Sequence, residues 1–263
     1  MAIHKILGDK SVFLIFILSG FFIGNTLVAE FVGGKIFSLE KLFGIAPFDW
    51  KIFGVSGLGF NLTAGAILWP LVFIMTDIIN EYFGPKTVRV LSFLAIGIVF
   101  YSFIMVYAAI ALPPNEWWQS QSGLTGDSAM SISDMSLAFN KVMGQGLWII
   151  IGSMVAFLVG QFLDVTVFNK IKAMTGDKHV WLRATGSTLI SQLIDSFVVL
   201  IIAFYIGADW ELTRVLAIGV VNYIYKGSMA ILLTPLIYLS HFLIDRFLGH
   251  EQASSMRFAA LNG

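Results

Sequence analysis

Six stretches of this chain are long, apolar and nearly free of charge, at residues 11–31, 62–82, 88–112, 147–168, 184–206 and 215–239. A hydrocarbon layer about 30 Å thick takes roughly 20 helical residues to cross. Lipid offers no hydrogen bonds to a backbone, so such stretches close their own bonds as α-helices. The alternating pattern of barrel strands is missing. Composition agrees, with 57% of the 263 residues hydrophobic and 12% charged, against about 45–50% and about 25% in a soluble domain. The expected fold is all-α and integral to the membrane, six transmembrane helices in one bundle. It forms a single domain over residues 1–263, with outer loops 33–61 and 113–133 as elaborations.

A formal net charge of zero leaves no basic footprint for nucleic acid. The absence of cysteine excludes disulfides and thiolate chemistry. Lys5 and Lys10 ahead of the apolar run 12–23 imitate a signal peptide. Small residues are poorly placed for cleavage, so the run is expected to stay as the first helix. With the N-terminus inside, ten basic residues fall on the inner side: Lys5, Lys10, Lys86, Arg89, Lys170, Lys172, Lys178, Arg183, Arg246 and Arg257. Five fall outside, Lys35, Lys41, Lys51, Lys141 and Arg214, and Lys226 lies within the last span. That bias predicts both termini in the cytoplasm.

The loops carry their own signals. Residues 35–39 and 50–56 alternate apolar and polar, which predicts a short hairpin or re-entrant cap. Trp117 and Trp118 suit a membrane interface. Ser133 is placed to cap a short amphipathic helix over 134–143, and Thr175-Gly176-Asp177 is a turn signal in the basic inner loop.

Four ionisable residues interrupt the hydrocarbon: Asp77, Asp164, Asp195 and Lys226. Each costs about 2.5–3.5 kcal/mol at a helix centre, so each needs a partner or a task. Gln161 and Asp164 in one span repeat in the next as Gln192 and Asp195, an amide and a carboxylate at i, i+3 on one helical face. Asp195 and Lys226 each lie roughly 18 Å along their helices from a flanking arginine, so both reach mid-depth and can pair. Asp77, Asn80 and Glu81 share a face just before Gly84-Pro85, a helix stop. Two acids at a helix C-terminus oppose its dipole, so a neighbouring helix is expected to supply a counter-charge such as Arg183 or Lys86. Asn25, Asn222 and Tyr223 are further candidates for the lining, and Gly20-x-x-x-Gly24 is a close-packing or dimerisation motif. His4, His179, His241 and His250 show no metal-ligand spacing, and no hydrolase motif is present. Three carboxylates with two glutamines exceed what helix packing requires, so the set reads as a solute site rather than as structural ion pairs alone.

At these residues the chain resembles the queuosine precursor transporter family, also called vitamin uptake transporter-like. The resemblance rests on Thr76-Asp77, Glu81 and Phe83-Gly84, then on Gly160-Gln161-Phe162-Leu163-Asp164 running to Phe168-Asn169. Gly186-Ser187-Thr188, Asp195-Ser196 and Tyr223 before Lys226 follow in order. It implies a multi-pass importer in the bacterial cytoplasmic (inner) membrane, not an enzyme, that takes up deazaguanine bases for tRNA queuosine salvage without a cofactor or metal. The substrate-binding residues would be Gln161, Asp164, Gln192, Asp195, Lys226 and Tyr223, with Asp77, Asn80, Glu81 and Arg183 gating or supporting. The partners implied are a small planar base and the lipid bilayer, with a homo-oligomer left open. A carboxylate can accept from the adjacent N–H groups of a guanine-type edge while a glutamine amide serves its carbonyl. Phe162, Phe197, Tyr223 and Tyr225 are candidate stacking platforms. The alternative is uptake of another vitamin or small organic solute, including as a capture subunit paired with an ATPase module.

Overall fold

The computed structural model describes residues 9–119, 132, 134–176 and 179–262. Lys5, Ser133, Asp177 and Lys178, on which the signal-peptide, capping, turn and charge-bias expectations partly rest, lie outside the described residues, as does most of loop 113–133. The chain is mostly helical: α1 (Lys10–Val32), α2 (Trp69–Ala111), α3 (Met135–Met143), α4 (Leu147–Thr175), α5 (Val180–Leu200), α6 (Leu212–Leu232), α7 (Thr234–Leu248) and α8 (His250–Asn262). Among the described residues five segments are long and apolar enough to cross a membrane: Lys10–Val32, Trp69–Ala111, Met135–Thr175, Val180–Ile206 and Leu212–Leu232.

The 43 residues of α2 would run about 65 Å if straight, roughly twice a bilayer core. They are not straight. Gly84 takes φ +81 and ψ 170, a conformation natural only to glycine, and Pro85 follows it. The two arms then return to the same end of the molecule. Gly65, just before the first arm, lies so close to Ala29 of α1 that a Cβ would come within 2.3 Å of its carbonyl oxygen. Near the end of the second arm, Tyr107 donates to the Gln145 carbonyl at 2.5 Å, and Gln145 donates to the Glu30 carbonyl of α1 at 3.0 Å. Residues 29–30 therefore meet both ends of α2, and the chain reverses at Gly84. Leu18 and Phe22 of α1 pack with Val72, Ile78 and Ile79 of the first arm and Val88, Leu91 and Ala95 of the second.

The expected boundaries shift in three places. The second apolar stretch was expected from residue 62, but helix begins at Trp69, with Pro70 in its first turn. Leu62 instead belongs to strand Asn61–Thr63, which pairs antiparallel with Ile36–Ser38. Buried at 2% exposure beside Tyr225 and Ala66, it is apolar because it is a cap residue, not a lipid-facing one. Helix α4 runs past residue 168 to Thr175, because its last turns pack inward and bury Lys172. The last stretch breaks between Leu232 and Thr234, where Pro235 can start a helix but not continue one.

The loop after α1 forms a cap. Beyond the ribbon just described, Trp50–Ile52 and Val55–Leu58 make the expected hairpin, turning at Phe53 (φ 51) and Gly54 (φ 85). So the all-α expectation needs two small ribbons added. Phe48 stacks on Trp50 (ring centroids 5.0 Å), and Phe60 lies edge-on to Trp50 (5.1 Å). Buried Glu40 fastens the cap, accepting from the Phe60 N–H at 2.7 Å and from the Ser38 hydroxyl at 2.9 Å. Leu58 then packs on Ala217 and Val221 of α6. Helix α3 begins as expected, with Asp134 accepting from the Leu137 N–H at 2.8 Å. Among the described residues nothing lies within 4 Å of where a Cβ on Gly20 or Gly24 would stand, so this small-residue face packs against none of them.

At the Gly84 end, α8 crosses the reversal, with Ala260 against Gly84. A polar cluster ties this region together. Tyr82 donates to Asp245 at 2.7 Å, and Arg257 donates to both carboxylate oxygens of Asp245 at 2.9 Å. Burial pushes the Asp245 carboxyl up, but the hydrogen bonds from Tyr82 and Arg257 outweigh it and hold the group below the usual carboxylate range. A depressed folded value means stability present above the unfolded pKa of about 3.9 and lost as pH falls through the folded one. Asp245→Asn should therefore lower stability by about 1 kcal/mol at pH 7, since the pair is partly exposed. The gap to wild type in detergent melts should close below about pH 4; a pH-independent gap would contradict the assignment.

Candidate functional site

Three helices bring the buried polar residues together: the first arm of α2, α4 and α5. The tightest element is an ion cluster. Arg183 of α5 donates to Glu81 Oε1 at 2.8 Å, and Lys172 Nζ of α4 lies 3.2 Å from Oε2, an ion contact without hydrogen-bond alignment. Lys172 also donates to the Glu81 carbonyl at 3.3 Å, and Arg183 to the Gly176 carbonyl at 2.6 Å. All three side chains are at most 1% exposed. Arg183 is thus the expected counter-charge, and Glu81 and Arg183 form a structural joint. Lys172 was counted among the inner-loop charges. The signal available for it was its spacing, eight residues after Asp164 and so on the same helical face.

One turn before Glu81 lies a less satisfied group. Asp77 is 2% exposed, and its Oδ1 has no protein partner. Asp164, on α4, faces Asp77 and is ringed by Ser187, Thr188 and Ser191 of α5, with Ser191 donating to Oδ1 at 3.1 Å; Oδ2 has no partner. Gln161 accepts from the Thr76 hydroxyl at 3.0 Å, leaving its Nε2 without a partner. Asn80 accepts from Asn169 at 3.4 Å while its own Nδ2 is unpartnered, and Gln192 Nε2 is likewise unpartnered. Native interiors leave few buried polar groups unpaired, so this concentration on three facing helices requires an explanation.

A narrow cleft, open at its mouth, runs beside these groups. Its polar lining is Asp77, Thr185, Thr188, Gln192 and Lys226, and its aromatic walls are Trp69 and Phe73. The cavity is closed on one side by the α6–α7 junction, through Ala230, Leu233 and Ile237. Lys226 reaches it while bonded to Asp195, which packs against Gly160 of α4. Asp195 and Lys226 therefore pair as their depth predicts, and both are slightly exposed.

Of the residues singled out in the sequence, Asp77, Gln192 and Lys226 line the cavity. Gln161 and Asp164 lie fully buried behind its wall, and Asp195 acts through Lys226. Tyr223 is half-buried and does not line it, and Asn25 hydrogen-bonds the Phe21 carbonyl of its own helix. The candidate platforms lie elsewhere: Phe162 packs on Phe93, Phe197 on Gly219, and Tyr225 on Phe60 under the cap. Trp69 and Phe73 take that place instead. With Asp77 they recur every four residues, so they share one helical face, a pattern present in the sequence.

The two acids of α2 should thus behave differently. Glu81→Gln leaves two buried cations uncompensated and should destabilise by about 3–5 kcal/mol. Asp77→Asn, at a side chain outside that ion cluster, should leave the detergent melting temperature near that of wild type. Equal melting temperatures for the two variants would contradict this division.

Known proteins give this geometry a context. Residues 63–240 match the family model described as "Putative vitamin uptake transporter". A Bacillus subtilis protein named "Probable queuosine precursor transporter" is 27% identical over 191 residues, covering 71% of this chain and 74% of the relative. A Haemophilus influenzae protein of the same name is 30% identical over 175 residues, 66% of each chain. The Escherichia coli "Queuosine precursor transporter" is 26% identical over 206 residues, 77% of this chain and 84% of the relative. No solved structure matches. The match spans the reversal at Gly84, the Glu81 joint and the cavity-lining arm, and the chain belongs to the vitamin uptake transporter family, in which these queuosine precursor transporters are its relatives.

Proposed function

We propose that this chain imports queuosine precursors, deazaguanine bases, across the bacterial cytoplasmic membrane for salvage into tRNA. It works as a single-domain carrier of six spans with both termini inside, and carries out no chemical reaction on its cargo. The reversal at Gly84 supports six spans, since each arm of α2 counts as one pass. The observation that carries the reading is the cavity, lined by two residues that each keep an unpartnered polar atom, Asp77 and Gln192, and by two aromatic rings. A bilayer-embedded protein has no use for such atoms as packing, because each costs on the order of 1–3 kcal/mol unpaired. A planar polar solute is what would pair them. The cargo named for the relatives is such a solute.

In this reading Gln192, Asp77 and Lys226 touch the cargo and Asp195 holds Lys226 in place. Gln161 and Asp164 support the wall, and Tyr223 stands outside the first contacts. Asn80, Glu81 and Arg183 brace the inner end. The open Gly20/Gly24 face of α1 also suits a second membrane protein, either another copy or a coupling subunit, and co-purification of an ATPase module would favour the capture-subunit alternative.

The test is accumulation of a labelled deazaguanine precursor by cells that lack their own carrier and depend on salvage. Expression of the chain should raise uptake well above the empty-vector level, and an unlabelled precursor should compete. Asp195→Leu with Lys226→Met, which removes the pair without stranding a charge, should fold and lose most uptake. Vector-level accumulation by the wild type would end the proposal.

A further inference from the structure

Two residues that line the cavity each keep one polar atom without a protein partner. Asp77 Oδ1 can only accept while ionised, and Gln192 Nε2 can only donate. Both side chains are at least 97% buried, and both line the same space from different helices, α2 and α5. Trp69 and Phe73 lie two turns and one turn before Asp77 on the face that carries it, so one helix lines the space with both aromatic surface and the acid. Trp69 is itself braced by Phe157 of α4 (ring centroids 5.4 Å), which holds the indole as a fixed wall.

We propose that Asp77 and Gln192 together read a lactam edge, an N–H donor beside a C=O acceptor, on a planar heteroaromatic ring stacked against Trp69. Asp77 Oδ1, the carboxyl oxygen without a protein partner, accepts from the ring N–H, and the Gln192 amide donates to the carbonyl. Lys226, oriented by its bond to Asp195, lines the same space on the carbonyl side. A ring with an amino group in place of the carbonyl sets donor against donor at Gln192 and leaves a bare ring nitrogen facing Asp77. Sites built around buried polar pairs reject such a mismatch strongly, because the cost falls on groups left unpaired. The inference rests on the transport reading for the identity of the cavity as the cargo site, and it adds which residues select the cargo and on what chemical ground.

The probes are 7-deazaguanine and 7-deazaadenine, which differ at this edge, titrated into the purified full chain in detergent and followed by calorimetry. Wild type should bind the first at least about 5–150-fold more tightly than the second. Gln192→Met, close in volume, should weaken 7-deazaguanine and shrink that ratio, and so should Asp77→Asn. Trp69→Leu should weaken any binding of both rings by a similar factor, about 5–150-fold, and leave the ratio unchanged. Melting temperatures within a few degrees of wild type establish that each variant is folded. If a variant unfolds, quenching of wild-type tryptophan fluorescence by the bound ring, lost in Trp69→Phe, reports the contact with Trp69. Wild type that binds 7-deazaguanine while both edge variants keep its full discrimination overturns this inference and leaves the transport reading standing. Wild type that binds neither ring overturns both.

Discussion

A carboxylate taken out of water must be given positive charge, and Glu81 takes two cations from two different helices. Arg183 and Lys172 reach it from α5 and α4, so one buried anion ties together the three elements that carry every other buried polar group of the site. The arrangement is expensive, since three desolvated side chains must repay their hydration through geometry alone. Its value is positional. With Glu81 fixed, Asp77 one turn earlier is held facing Asp164 and the cavity, and the reversal at Gly84 places the second arm behind the first. Stability sits in Glu81; the unpartnered polar atoms sit on Asp77 and Gln192.

The apolar runs were legible because lipid makes a single demand of the backbone, and the break at Gly84-Pro85 was legible because few residues end a helix so plainly. The dipole argument called for a counter-charge such as Arg183 or Lys86, of which Arg183 bonds Glu81, and the Asp195–Lys226 pair followed from depth along two helices. What the sequence did not reveal is mostly a matter of which neighbour wins. Leu62 looks like membrane hydrocarbon and is cap hydrocarbon, since hydrophobicity alone does not say what buries it. Lys172 looks like a loop cation and is a buried one, because α4 continues inward past residue 168. Asp164 and Gln161 have the right chemistry for a solute, yet Ser191 and Thr76 already occupy part of each. Trp69 and Phe73 were overlooked because aromatic residues are abundant in this chain, 14% of it, and abundance hides a face unless the four-residue spacing is counted back from the acid.

The site therefore combines both readings of buried charge. Glu81 with Arg183 and Lys172 is a strut. Asp195 with Lys226 is a pair that also presents an ammonium to the cavity. Asp77 and Gln192 are neither, because each keeps an atom with no protein partner in a region where such an atom is costly. Membership of the vitamin uptake transporter family fits a protein that spends stability to keep polar atoms available inside a bilayer.

The most direct measurement is an experimental structure of the full chain in lipid with a deazaguanine base bound. The account predicts the ring between Trp69 and the α5 helix, its lactam edge on Asp77 and Gln192, with Glu81 still bonded to Arg183 and Lys172. A base found under the outer cap, or against lipid and away from Asp77, would contradict it.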